Sequence, residues 1–457
     1  MGITPRTYQF LVGVFASLGS FLFGYDLGVI GGVVASASFV STFASPGANE
    51  VGAVVSVFTG GAFVGAFFAG TSGDWIGRRL TILVGAVIFS LGGALQTAAQ
   101  NLGYLYSGRF IAGLGVGFLT MIIPLYQAEI SHPLIRGRIT SLQQFMLAIG
   151  AAVASDGLQV LAKLHAHGNE QDVWVQAEFE QIQSAIALEH EVAAKGYKEL
   201  FTNRSSFRRL FLVCALQASV QMTGVSAIQY FSPTIYAGLG IGTNSALKYQ
   251  GISNVLSVLA ILCTVLFIDG LGRRWPLIIG NLINCLCFIV VTAVNATFPQ
   301  SSPSTQHALG WLFIVFNWVY QISFSFTCGT LSWIIPAEIF DTKTRSKGVS
   351  IGAMTSFAFN TMIGQVTKPA INSISWRFFL VFVICNFTNA IFFWAFMPET
   401  AKLPLEEMNT LFSSKSWFVP TMNYDAFNTH DLEHRPEEIS RKGDIDIVED
   451  INDKRSM

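Results

Sequence analysis

The sequence predicts an all-α polytopic membrane protein made of two related halves, and three observations carry that reading. Hydrophobic residues make up 51% of the 457 and charged ones only 12%, with 39 phenylalanines; that leaves too little charge to cover a soluble globule of this size. Mean hydropathy is +0.50, and the apolar residues come in runs near the ~20 needed to cross a ~30 Å hydrocarbon core. A polar mark, Gly73-Asp74-Trp75-Ile76-Gly77-Arg78-Arg79, returns as Asp269-Gly270-Leu271-Gly272-Arg273-Arg274. The two stand about 200 residues apart, each between two apolar runs, as an internal repeat places them.

Taken in order, the spanning runs are 8–32, 51–70, 80–98 and 103–126, then a shorter fifth at 139–155. They resume at 210–239, 247–268, 275–297, 308–335, 348–366 and 376–397, giving about eleven. The first run outlasts a signal-peptide core and no small-residue cleavage site closes it, so it is a retained span. At each repeated mark the glycines let the chain reverse in few residues, and the paired arginines stay with the headgroups. Between the halves the chain turns polar from Asp156 to Arg209. Over Val173 to Ala193 apolar residues (Val173, Ala177, Ile182, Ile186, Val192) recur at helical spacing among Glu and Gln, which predicts amphipathic surface helices. The expected organisation is an incomplete N-terminal bundle (1–155), a cytoplasmic helical linker (156–209), a six-span C-terminal bundle (210–397) and a mixed-charge tail (398–457) expected to be largely disordered.

Basic residues orient the chain. Arg78/Arg79, Arg136/Arg138, Lys195 to Arg209, Arg273/Arg274 and Lys343/Arg345/Lys347 must share the cytoplasmic side, and both termini with them. The sequon at Asn295 to Thr297 then faces outward, where glycosylation is permitted. All six cysteines lie inside apolar runs without metal-ligand spacing and are read as packing residues. No basic stripe with interleaved aromatics, nucleophile–base pair or phosphate loop stands out, so a nucleic-acid partner, an enzyme and a cofactor or metal are not expected.

Polar residues inside the spans carry the functional argument. Asp26 lies well within the first run, where an unpaired charge costs on the order of 2.5–3.5 kcal/mol. Arg109, inside the fourth run, is the candidate partner. The pair is either a fixed bridge or a titrating switch in which a proton on Asp26 releases Arg109. Neutral polar groups gather in other runs: Gln143 and Gln144, then Gln217, Gln221, Thr223 and Ser226, then Trp333, then Ser356 and Asn360. Amides that donate and accept, beside a flat indole, suit an uncharged ligand with many hydroxyls. Interhelical polar glue is the alternative for any one of them.

These residues fall in motifs that resemble the sugar porters of the major facilitator superfamily, and within them the fungal hexose (monosaccharide) transporters. The resemblance runs from Tyr8 to about Met408. It rests on Gly24-Tyr25-Asp26, the two repeated marks, Arg109 to Gly113, Pro124 to Glu129, Arg136-Gly137-Arg138, Gln221 to Ser226, Trp333 to Glu338 and Pro398-Glu399-Thr400. It implies a major facilitator fold, two six-helix bundles that rock about a central sugar site by alternating access, in a plasma-membrane protein acting as a monomer. By position Gln144, Gln217, Gln221, Trp333 and Asn360 match the family's sugar-contacting residues, and Asp26 and Arg109 its proton-coupling pair. Asp74, Arg78, Arg79, Glu129, Arg136, Asp269, Arg273, Glu338 and Arg345 match its cytoplasmic charge network. The expected partners are a hexose, protons and the lipid bilayer; a sugar sensor that does not transport, and a uniporter, are the other readings.

The chain departs from the family at Val220, Ser226 and Ser356, and above all between its halves. In the second half Glu338 and its basic loop are followed by two spans and Pro398-Glu399-Thr400; in the first half Glu129 and its loop are followed only by Ile139 to Ser155. The sixth span of the family's twelve is missing. At 1.5 Å per residue Ile139 to Ser155 is about 25 Å of helix, barely one crossing, and it is expected to lie along the interface or insert as a half-helix. A chain so shortened is expected to transport poorly.

Overall fold

The computed structural model describes residues 5–34, 39, 42–43, 46–130, 136–156, 197–341, 343–401, 408, 411–412 and 417–421. Among these residues there are helices and no strands. The first span is broken into α1 (Pro5–Ala16) and α2 (Leu18–Val34); α3 (Ala48–Trp75), α4 (Arg78–Thr97), α5 (Leu102–Ile130) and α6 (Arg136–Asp156) follow. After the short α7 (Lys198–Thr202), a second broken span is made of α8 (Arg204–Gln221) and α9 (Val225–Gly238). Then come α10 (Thr243–Leu271), α11 (Arg274–Thr297), α12 (Pro303–Phe324), a π turn at Ser325–Gly329, α13 (Thr330–Ile339), α14 (Arg345–Ile374) and α15 (Arg377–Phe396).

The repeated polar mark produces the same local structure twice. Gly77, between α3 and α4, has φ +82°, and Gly272, between α10 and α11, has φ +80°. A side chain at either position would be strained, so glycine permits the tight reversal. In the first half α5 is the central helix, packed by α3 and α4, while α2 runs along α6; in the second, α11 packs on α15 and α12, and α8 on α14. Two seams join the halves, α3 with α14 and α6 with α10.

Nine helical segments are long and apolar enough to cross a bilayer, among them Leu11–Ile30 across the α1/α2 break and Pro303–Ile339 through the π turn. The chain is an integral membrane protein. The runs at 139–155 and 348–366 are missing from those nine because α6 and α14 carry polar residues. They are nonetheless long packed helices at the two seams, and with them the described residues hold the eleven spans read from the sequence. Leu83, Val87 and Leu91 on α4, and Leu259, Leu262 and Leu266 on α10, are exposed, a lipid-facing surface.

The expected start of the 139–155 run is corrected. Arg136 to Arg138 belong to the helix and not to a loop, so α6 has 21 residues, about 31 Å at the standard rise. It packs along α2, and the two backbones meet directly. A Cβ added at Gly24 would lie 1.7 Å from the Leu147 carbonyl oxygen, and one at Gly150 2.1 Å from that of Phe21. Close contacts through small residues are how membrane helices gain packing energy. At one end Arg138 meets Asp269; nearer the other the Asn254 amide donates to the Ala151 carbonyl at 3.2 Å. The chain is next described at α7, where Glu199 pairs with Lys343 at 2.9 Å. The amphipathic helices expected over Val173 to Ala193 lie outside the described residues.

A few residues at the start of the tail are described. Met408, Leu411, Phe412 and Val419 are buried. The Arg209 and Arg208 guanidinium groups lie 5.0 and 5.4 Å from the Phe412 ring centre, and Trp417 packs on Phe211. The few apolar residues in that stretch hold it to α8; residues from 422 on lie outside the described residues. Asn295 sits in the last turns of α11, its amide donating to the Val291 carbonyl at 2.8 Å, a helical setting for the sequon.

Candidate functional site

The α1/α2 break is slight, since the Gly13 carbonyl keeps the Ser17 N–H at 3.1 Å; the α8/α9 break interrupts the helix within its span, and a carbonyl freed there finds donors from other helices, the condition for irregular backbone at that depth. At the α1/α2 break the Gln127 amide from α5 donates to the Gly13 carbonyl at 2.9 Å and to the Ser17 hydroxyl at 2.7 Å. At the α8/α9 break Gly224 has φ +98°, and the Thr223 carbonyl accepts from Asn386 at 3.2 Å and Tyr320 at 3.3 Å. The second break places Gln221 at the end of α8 facing Ser226 at the start of α9.

Around that break a polar cluster closes on itself. Gln221 Oε1 accepts from the Ser226 hydroxyl at 2.7 Å and from Asn360 Nδ2 at 3.2 Å, while Gln221 Nε2 donates to Ser356 at 3.0 Å. Asn360 Nδ2 also donates to Ser226 at 3.1 Å, and Asn360 Oδ1 accepts from the Tyr230 hydroxyl at 2.9 Å. One turn before Gln221, Gln217 Nε2 donates to the Ser332 carbonyl at 2.8 Å, next to the half-buried Trp333. From the other half Gln144 Nε2 lies 3.4 Å from where a Cβ of Gly329 would stand, in the π turn. Gln144 Oε1 is buried without a hydrogen-bond partner among the described residues. Its neighbour Gln143 points elsewhere and donates to the Thr120 carbonyl at 3.2 Å, which is interhelical glue.

The two intramembrane charges meet. Arg109 Nη1 lies 2.7 and 2.9 Å from the Asp26 carboxylate oxygens. The side chains are 1% and 12% exposed. Arg109 Nε donates to the Val54 carbonyl at 3.0 Å, and its guanidinium lies 4.2 Å over the Phe58 ring. Removing one member of a buried pair typically costs about 3–5 kcal/mol.

The repeated marks build two matching charge clusters at one end of the helices. Arg78 holds Glu129 at 2.9 Å, Asp74 at 3.0 Å and the Gly73 carbonyl at 2.7 Å. Arg273 holds Glu338 at 2.9 Å, Asp269 at 3.0 Å and the Ile268 carbonyl at 2.8 Å. Burial alone would push the Arg273 guanidinium pKa down; Glu338 and Asp269 outweigh it and raise it. Each cluster is latched to the opposite half at its aspartate: Lys347 reaches Asp74 at 2.8 Å and Arg138 reaches Asp269 at 3.4 Å. Glu399 adds to the second cluster only, accepting from the Arg273 and Arg274 backbone amides at 2.8 and 3.1 Å.

The profile of the sugar (and other) transporter family matches residues 12–174 and 154–412. The chain is a sugar porter of the major facilitator superfamily. Among its relatives are the MFS-type transporter criB of Aspergillus cristatus, 28% identical with 94% of this chain and 98% of that one covered. The MFS glucose transporter mfs1 of Aspergillus flavus is 28% identical, with 89% of each covered. A probable quinate permease of Aspergillus fumigatus is also 28% identical, with 89% of this chain and 88% of that one covered. In fold the porter is similar to the proton:xylose symporter XylE bound to 6-bromo-6-deoxy-D-glucose: TM-score 0.68, 21% identity, 89% of this chain and all of that one covered.

Within the porter, the structure brings Gln217, Gln221 and Asn360 together, pairs Asp26 with Arg109, and gathers Asp74, Arg78, Glu129, Asp269, Arg273 and Glu338 into the two clusters. It corrects others. Arg79 is exposed with no ion pair among the described residues, because a neighbour on a helix is turned about 100° away. Arg345 is buried and donates to the Phe340 carbonyl at 3.4 Å; Lys347, two residues on, makes the latch. The Arg136 side chain lies outside the described residues; Arg138 reaches Asp269 beside Arg273. Sequence reasoning missed Tyr230, which reads as one more aromatic in an apolar run.

Proposed function

We propose that the porter moves a monosaccharide, a hexose, by alternating access and couples it to protons through Asp26. It would act as a monomer in the plasma membrane with both termini in the cytosol. The observation that carries the coupled reading is the buried Asp26/Arg109 pair, held in the same membrane interior as the amide cluster, so that a proton on the carboxylate changes the charge beside the ligand. The expected result is that Asp26→Asn abolishes accumulation against a gradient while leaving sugar exchange measurable, since the amide imitates the protonated acid. Uptake by the variant that is still concentrative and protonophore-sensitive sinks the assignment. A parent that exchanges sugar but never concentrates it is a uniporter, and one that binds without exchange is a sensor.

Donor and acceptor counting supports a polyhydroxylated ligand and assigns roles. Both acceptor positions of Gln221 Oε1 are taken, and one Nε2 hydrogen is left over. Gln221 therefore faces the sugar as a donor, and Gln144 Oε1 supplies the complementary acceptor. The expected result is that one hydroxyl of the sugar acts toward Gln221 as an acceptor only. At that position the deoxy sugar binds about tenfold or more weakly, a loss of about 1–3 kcal/mol, while the fluoro sugar keeps most of the affinity. Gln221→Ala levels the difference. If fluoro and deoxy sugars are equally poor at every position, this role for Gln221 is wrong.

A further inference from the structure

One half-buried cation, Lys368 on α14, has no acid to answer it among the described residues. Its ammonium donates to the Thr234 hydroxyl of α9 at 3.3 Å. It makes no ion pair there, whereas Asp26, Asp74, Glu129, Asp269 and Glu338 each have an arginine. Glu50, two residues before the Gly52 that abuts Gln365, accepts from the Gly47 amide at 2.7 Å instead. An ionisable group carried inside membrane helices marks a ligand path more often than a packing need.

The position of Lys368 ties it to the amide cluster. α9 and α14 are bridged twice in succession: Tyr230 to Asn360 at 2.9 Å, then Thr234, one turn further along α9, to Lys368, two turns further along α14. Positions eleven apart on a helix point the same way to within about 20°. Lys368 therefore leaves α14 in the direction of Phe357, which meets Phe23 of the first half with ring centroids 6.2 Å apart. That is the face turned toward the other half. A lysine near a helix end ordinarily runs out to the headgroups; Thr234 lies about one turn before the end of α9 and holds this ammonium inside it.

We propose that the sugar site takes a carboxylated monosaccharide, a hexuronate, and that Lys368 is the residue that selects its carboxylate. This rests on the reading of the Gln221/Asn360 cluster as the sugar site. An ammonium has three donors; Thr234 takes one, and the other two, with a positive charge that no described acid neutralises, match a carboxylate. Charge-assisted hydrogen bonds are about twice as strong as neutral ones. The cluster one turn of α9 away supplies neutral donors and acceptors for the hydroxyls. One turn is about 5.4 Å, the scale of a single sugar ring, so one monosaccharide reaches both. Arg109 does not compete for the carboxylate, because Asp26 holds it at 2.7 Å.

The test is calorimetry on the full chain in nanodiscs at neutral pH, with D-glucuronate, with D-glucuronamide, which has the same shape without the charge, and with D-glucose. The parent is expected to bind the acid about tenfold or more tightly than the amide, with D-glucose near the amide. Added salt should narrow the gap, since the lysine is partly solvated. Lys368→Met should bring the acid-to-amide ratio down to about one or below, and Lys368→Arg, which keeps the charge, should preserve it. The comparison of acid with amide is made on the parent, so it decides the matter even if Lys368→Met does not fold. An acid that binds no better than the amide, or a Lys368→Met variant that keeps the parental ratio, overturns the proposal and leaves the sugar-site reading standing on D-glucose. A parent that binds none of the three overturns the sugar-site reading itself, and this proposal with it.

Discussion

Arg273→Leu is expected to leave little folded porter, whereas Arg78→Leu, its counterpart in the first half, is expected to be milder. The two arginines make the same set of contacts, but in different surroundings. Arg273 is 2% exposed, with Glu338 and Asp269 at 8% and 9%; Arg78 is 15% exposed, with Glu129 and Asp74 both at 20%. Removing Arg273 strands Glu338 and the Ile268 carbonyl away from water and leaves Asp269 only the longer contact to Arg138, a loss of about 3–5 kcal/mol from a total that is typically about 5–15 kcal/mol. The first cluster can take up water, and Lys347 still neutralises Asp74, so its loss should be nearer 1 kcal/mol, as for partly solvated pairs. Thermal melting of the purified variants reads the difference. The mechanism makes a second demand: adding Glu338→Gln and Asp269→Asn to Arg273→Leu should recover much of the lost stability, because the cost lies in the stranded charges. Equal melting of the two single variants, or no recovery in the triple, would falsify it.

The legible parts of this molecule are those where a residue type violates its surroundings. Asp26 and Arg109 stand out because charge in hydrocarbon is costly, and each implies the other. The repeated marks stand out because glycine and arginine interrupt apolar runs, and both turns have the positive φ that glycine supplies. What was not legible depends on rotation about a helix axis or on where a helix starts. Arg78 and Arg79 are equivalent in composition, yet only one can face Glu129. Arg136 and Arg138 read as a loop, and only once the helix includes them does Arg138 come to Asp269 and α6 become long enough to cross. Tyr230 violated nothing, since a tyrosine in an apolar run is ordinary; its bond to Asn360 is a fact of tertiary packing.

Restoring a sixth span is expected to raise sugar uptake by at least about tenfold, and the fold itself supplies the argument. In the second half α11 is covered by α15 and buries residues along its length, from Pro276 to Val294. Its counterpart α4 buries only Thr81, Gly85 and Gly92; the helix that would cover it as α15 covers α11 is the sixth. The chain path makes the same demand. Asn254, where α6 is held near its far end, is about 22 Å by helix rise from Asp269, where it is held at the end bearing the charge clusters, and Glu199 of α7 is back at the latter end with Lys343. The sequence joining them, 157–196, includes Lys163, Glu170, Asp172, Glu178, Glu180, Glu189, Glu191 and Lys195. Each charge at the bilayer centre costs on the order of 2.5–3.5 kcal/mol, so by composition this sequence is not expected to supply the crossing. In a bilayer the conflict falls on α6, held by one weak latch and by packing on α2 and α10, and its displacement takes Gln144 away from Gly329 and opens the α6/α10 seam. Inserting about 20 apolar residues after Ser155 should settle α6 in place, move a tag at Gly168 firmly to the cytosol and bring uptake up from background. An unmodified chain whose Gly168 and tail tags are both cytosolic, and which takes up sugar as fast as the restored one, would show that the sixth span is dispensable here.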